Sequence, residues 1–146
     1  MEQRHRCVSK LVVLNQHRKI LLLQYEDERG RWWTAPGGGV ERSESFEEAA
    51  RREAREELGL TALWIQPLWE MVNDFTSRGV HFSQTEKFFL IQADEKDLQL
   101  GNDVQKAHSV EGIIAIRWWS LEELRTTTEV VFPNDLLARI QNLSTQ

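Results

Sequence analysis

The chain has 146 residues, 40% of them hydrophobic and six of them Trp, which suits one globular domain spanning 1–146 and argues against disorder. Its net charge of −5 argues against general nucleic-acid binding, which needs clustered Lys and Arg. Its longest apolar runs are too short to cross a bilayer, nothing after Met1 resembles a signal peptide, and the single cysteine, Cys7, suits a reducing cytoplasm.

Residues 7–14 and 19–25 read as two strands joined by the polar turn Asn15-Gln16-His17-Arg18. The charged stretch from Tyr25 to Trp33 reads as a loop, and Ala35-Pro36-Gly37-Gly38-Gly39 as a breaker that neither a helix nor a central strand tolerates. A helix is expected from about Ser45 to Leu58, opened by the capping box Ser45-Phe46-Glu47-Glu48 and stopped at Gly59. Residues 61–73 read as extended and 80–92 as a strand, with Phe82, Gln84, Glu86, Phe88 and Leu90 on one face. The polar segment 94–110 reads as loop and 113–119 as another strand. A second capped helix follows from Ser120, and an amphipathic helix opening at Pro133 or Asn134 carries Leu136, Leu137, Ile140 and Leu143. The pattern predicts an α/β fold, a mixed sheet with helices packed on it.

The helix over 45–58 breaks its own pattern. At about 100° per residue, Phe46, Ala50, Ala54 and Leu58 form an apolar stripe, and Glu53 and Glu57 fall inside it with Glu56 alongside. One reading is a solvated acidic face with Arg partners, the usual meaning of a Glu/Arg-rich helix. The other starts from cost: half-buried like charges repel by several kcal/mol unless something neutralises them. A hard divalent cation with oxygen ligands does so. Arg52 is spaced to pair with Glu48 and Glu56. The glycine triplet would let backbone approach a ligand closely, or is simply a tight turn.

Gly38, Glu44 and Arg52-Glu53-Ala54-Arg55-Glu56-Glu57-Leu58-Gly59-Leu60 resemble a complete Nudix box. Weaker likeness extends through Gln84, Glu86, Phe88-Phe89-Leu90 and Arg117-Trp118 to most of the chain. The resemblance implies a Nudix-type α/β/α sandwich and hydrolysis of a nucleoside diphosphate linked to another moiety. It further implies that Glu53, Glu56 and Glu57 hold Mg2+ or Mn2+ together with the Gly38 carbonyl, and that Glu44 and Arg52 orient them. The general base varies within the family. Glu86, an acid on an apolar strand face, is one candidate, and Glu111, beside Gly112, is another; each is otherwise an ordinary surface acid. Gln24 stands where many members carry a phosphate-holding Arg. Arg29 or Arg31 could substitute, although both read more simply as solvated loop charges.

Markers of several subfamilies are missing. Tyr25 is the only tyrosine, and Pro67 lies too close to the box for the ADP-ribose type. What remains resembles the MutT-like nucleoside triphosphate group, whose products are the monophosphate and pyrophosphate. Phe132-Pro133-Asn134-Asp135 is similar to its base-pocket segment but shorter, which makes Phe132 and Asn134 candidates for substrate binding; helix capping is the other reading of Asn134. Trp32 and Trp33 are candidate stacking platforms, with at least one expected in the core. Hydrolysis of a nucleotide sugar or other diphosphate, and a non-catalytic nucleotide-sensing role, remain alternatives. The sensing role typically goes with lost box glutamates and an added DNA-binding domain, whereas this chain keeps every box glutamate. A nucleotide is the expected partner, with a homodimer left open.

Overall fold

The structure, a computed structural model, describes residues 3–61 and 64–144; positions 62 and 63, part of the expected extended stretch, lie outside them. Twelve elements matter here. In chain order they are β1 (Gln3–Leu14), β2 (Ile20–Asp27), β3 (Gly30–Thr34), β4 (Gly37–Gly39), α1 (Phe46–Leu58), β5 (Gln66–Ser77), β6 (Val80–Gln92), α2 (Asn102–Glu111), β7 (Ile113–Trp119), α3 (Leu121–Thr126), β8 (Val131–Phe132) and α4 (Leu136–Ser144).

The strands form one mixed sheet in the order β5-β6-β1-β2-β3-β8, with β4 added to β1 and β7 to β2. Strand β1 runs parallel to β6 from Gln3↔His81 to Leu14↔Gln92. It meets β2 only at Leu14↔Ile20 and then diverges, and β4 takes β2's place beside Val8, Ser9 and Lys10. The gap between the diverging strands is where the cavity lies.

Alternation along the strands feeds two cores. Leu11, Val13, Leu21, Phe89 and Ile91 pack under Ala50, Ala54 and Leu58 of α1. The intervening Val12, Ile20, Leu22 and Phe88 pack with Trp33, Trp119 and, from α4, Leu136 and Ile140. Helices therefore cover both faces, the α/β sandwich expected.

Several elements differ from the sequence reading. The 25–33 segment is a hairpin, not a loop: Tyr25↔Trp32 and Glu26↔Arg31 pair across it, with the charges at its tip. The glycine triplet is a strand, because glycine alone tolerates this contact with β1. Gly37 has φ +150°, and a Cβ on it would lie 2.1 Å from the Ser9 carbonyl oxygen. The polar 94–110 segment contains α2, which buries no residue and has no side-chain N-cap, so neither periodicity nor capping announces it. The last helix begins at Leu136, past Pro133 and Asn134, and no helix among the described residues is long and apolar enough to cross a membrane.

Candidate active site

Helix α1 places the acids. Ser45 Oγ accepts from the Glu48 amide while Glu48 accepts from the Ser45 amide, and Gly59 closes the helix at φ 68°. Glu48 is thus occupied at the cap and is not the partner of Arg52. Within the apolar stripe Glu53 is 5% and Glu57 2% exposed.

Bare backbone faces them. The Gly37 amide donates to Glu57 Oε1 at 2.8 Å. A Cβ on Gly38 would sit 2.4 Å from Glu53 Oε1, so β4 must lack side chains for Glu53 to lie against it. On β6, Glu86 is 1% exposed and its Oε2 accepts from Gln84 Nε2 at 2.7 Å. One oxygen of each acid (Glu53 Oε2, Glu57 Oε2 and Glu86 Oε1) is buried with no hydrogen-bond partner. An unpartnered buried carboxylate oxygen is costly, and three in one neighbourhood call for a ligand.

Arg52 fixes the surroundings. Its Nε and Nη2 grip Glu44 at 2.8 and 2.9 Å, Nη2 also donates to the Gly39 carbonyl at 2.8 Å, and Nη1 donates to Glu53 at 2.8 Å and Glu56 at 3.3 Å. The guanidinium holds the Glu44 carboxyl down at about 2, and its own pKa is raised, chiefly by Glu44. Glu56, about half exposed, is turned onto Arg52 and shares its Nη1 with Glu53. Among the described residues no three His, Cys, Asp or Glu side chains already form a cation cage. The donor set nonetheless suits a hard cation: carboxylate oxygens without partners beside a strand that carries no side chains.

Burial pushes the Glu57 carboxyl well above the carboxylate range, and the neighbouring Glu53 charge adds to this. Lys10, which the sequence reading missed, counters it. Its Nζ donates to the Ala35 carbonyl at 3.2 Å. Burial lowers its pKa, while Glu86, Glu57 and Glu53 oppose the shift. The signal was available: Lys10 alternates with Val8 and Val12 on a buried strand face, just as Glu86 alternates with Phe88. His108 of α2 was also missed; its Nε2 lies 2.8 Å from the Glu57 carbonyl and ties α2 to α1.

A cavity of about 740 Å³ opens above these groups. Glu53, Glu86, Lys10 and Gly37–Gly39 line its floor. Glu111 lines it as well, its carboxyl raised mainly by burial. The mouth carries Arg29, Arg31, Trp32, Phe75 and Phe132, so both arginines read as solvated loop charges lie on the cavity. Trp33 is 5% exposed in the core, edge-on to Trp119, and does not line the cavity. Asn134 is exposed and is also absent from the lining.

The NUDIX domain family model matches residues 3–140. Nucleoside triphosphatase NudI of Enterobacter sp. (strain 638) is 30% identical over 119 residues, 78% of this chain and 82% of that protein. The protein of the same name from Escherichia coli O139:H28 is 40% identical over 49% of this chain and 53% of its own length. In fold, the chain is similar to the NUDIX domain of Shewanella oneidensis NrtR complexed with ADP ribose, with a TM-score of 0.70 at 18% identity, covering 96% of this chain and 88% of that one. The sandwich agrees with these matches: the chain belongs to the NUDIX family and is a Nudix pyrophosphohydrolase, an enzyme acting on acid anhydrides.

Proposed function

We propose that the protein hydrolyses a nucleoside triphosphate or modified nucleotide to the monophosphate and pyrophosphate. The observation that carries this is the set of buried, unpartnered carboxylate oxygens of Glu53 and Glu86 at the floor of a nucleotide-sized cavity, with that of Glu57 beside Glu53. The name of the NudI relatives supports the substrate class.

The Gly38 carbonyl with Glu53, Glu57 and a reoriented Glu56 would hold Mg2+ or Mn2+. Such an ion polarises phosphoryl oxygens and supplies hydroxide near neutral pH. Arg52 keeps Glu53 aligned and, through Glu44, is itself fixed. Glu86 Oε1 takes the proton of the attacking water, while Gln84 holds Oε2 and so leaves Oε1 as the free lone-pair site. The water oxygen bonds to phosphorus, the bridging P–O bond breaks, and pyrophosphate leaves. Lys10, the half-buried lysine of the floor, would offset phosphate charge beside the acids.

A panel of nucleoside triphosphates, ADP-ribose and nucleotide sugars, assayed for phosphate release with Mg2+, tests the reading; a coupling pyrophosphatase reports cleavage of the triphosphates and a coupling phosphomonoesterase that of ADP-ribose and the nucleotide sugars. Preferred turnover of a triphosphate supports it. Turnover confined to ADP-ribose or a sugar nucleotide moves the substrate class. Binding with no turnover under Mg2+ or Mn2+ would establish the sensing role instead.

A further inference from the structure

The two hairpins on either side of β1 curl until their tips meet. Arg78 Nε of the β5–β6 turn lies 3.9 Å from Glu28 Oε1 of the β2–β3 turn. Just inside, each hairpin contributes a cross-strand pair of stacked rings. Tyr25 and Trp32 are 5.7 Å apart with planes 11° off parallel, and Phe75 and Phe82 are 5.2 Å apart at 17°.

Between the two stacks sits one planar group. The Arg29 Cζ lies 4.9 Å from the Trp32 ring centre and 5.5 Å from that of Phe75. The side chain is 45% exposed, and the polar group that holds it is Asp27, which accepts from Nε at 3.0 Å and Nη2 at 2.7 Å. A flat, delocalised cation over two aromatic rings marks a place whose chemistry a flat heteroaromatic ring also suits.

The slot is also in register with the floor. Phe75 pairs with Phe82, and Glu86 lies four residues further along β6. At about 3.3 Å rise per residue the separation is roughly 13 Å. A ribose and its first phosphates span such a gap.

We propose that the nucleobase of the substrate inserts between Trp32 and Phe75 and takes the place of the Arg29 guanidinium, which swings out with its Asp27 partner. This rests on the nucleotide reading of the cavity and adds its base subsite. Two ring faces carry no hydrogen-bond code, so the slot grips purines more firmly than pyrimidines but does not select one purine.

The test is calorimetric titration of the full chain with AMP, GMP, CMP and UMP, and separately with inorganic pyrophosphate, none of which needs turnover. Phe75→Leu and Trp32→Ala should each weaken AMP and GMP binding at least tenfold and leave pyrophosphate affinity unchanged. Trp32→Phe, which keeps a ring, should retain most of it. Arg29→Ala, which vacates the slot, should tighten nucleotide binding about threefold. Unchanged AMP and GMP affinity in Phe75→Leu, or an equal loss for pyrophosphate, would overturn the slot. Weaker nucleotide binding in Arg29→Ala would overturn the displacement. Wild-type protein that binds these nucleotides through Trp32 and Phe75 yet cleaves no triphosphate would overturn the function and leave the slot standing.

Discussion

The floor and the mouth of the cavity are built on opposite terms. At the floor Glu53 and Glu86, with Glu57 beside Glu53, are buried, come from a capped helix and a central strand, and each keeps an oxygen without a partner. At the mouth the working groups are exposed or half-buried and ride on hairpin tips joined by one long ion pair. Rigid elements hold geometry to a fraction of an ångström, whereas hairpin tips open at little cost. Chemistry is thus fixed at the floor, and the choice of substrate is left to loops that can vary without disturbing it.

The largest expected effect breaks the floor alone. Glu57→Gln should lower kcat/KM by at least about 100-fold, roughly 2.7 kcal/mol of transition-state stabilisation. The Gln carbonyl can still accept from the Gly37 amide, so the fold should survive. A melting temperature that falls with the activity would show that the acid is structural. Full wild-type activity in excess chelator would equally sink the role given to the floor.

A pH series on metal-free protein separates the two ends next. Glu57 has its carboxyl raised by burial, with Glu53 and Glu111 reinforcing and Lys10 opposing. The folded protein then binds a proton that the unfolded chain has released, so ν_N exceeds ν_U and stability falls as pH rises. The window runs from the ordinary carboxylate pKa up to the raised one. Thermal melts in chelator should show this fall, Glu57→Gln should flatten it, and Trp32→Ala should leave its slope alone. A slope unchanged in Glu57→Gln would place the titrating group elsewhere.

The same contrast governs what the sequence disclosed. Acids on an apolar stripe are visible because burial makes them anomalous, so Glu53, Glu57 and Glu86 stood out. Lys10 showed the same anomaly in a strand, but one cation among Val8 and Val12 was easily passed over. Helices α1 and α2 make the point again. Both end on a left-handed glycine, at φ 68° and 81°, yet only α1 buries a face and carries a capping box. Helix α2 is held from outside, in part by His108 on the Glu57 carbonyl, and that contact is unreadable locally. The 25–33 hairpin failed for a related reason: its charges lie at the tip while its pairing partners, Tyr25 and Trp32, look like loop aromatics in isolation. Glu56 marks the opposite limit. Its place in the box is plain, but its rotamer follows Arg52.

Magnesium should act on the floor with a smaller magnitude. An ion that binds only the folded state stabilises it by RT ln(1 + [L]/Kd), about 1 kcal/mol at roughly five times Kd. For a chain of this size that is a rise of about 2–4 °C in the melting temperature. The double variant Glu53→Gln/Glu57→Gln should lose most of the rise, and Phe75→Leu should keep it. An equal rise in the double variant would mean that the ion binds elsewhere.

The smallest effect distinguishes two residues near the end of the chain. Phe132 pairs with Thr34 at the sheet edge and lines the mouth, whereas Asn134, two residues on, is exposed and outside the lining. An Asn amide can address a base edge in two places, but only if it reaches the base. The cap reading fares no better in this arrangement: α4 starts at Leu136, whose amide donates to the Pro133 carbonyl at 3.0 Å. Asn134→Ser should therefore leave the ratio of kcat/KM between the best and worst purine substrates within about twofold and shift stability by less than about 0.5 kcal/mol, as an isolated surface change does. Phe132→Ala should weaken AMP binding by about threefold, the scale on which a peripheral aromatic contact counts. If Asn134→Ser compresses the purine ratio while Phe132→Ala does nothing, the base is read by an amide from the C-terminal segment, and the aromatic mouth is not where selection occurs.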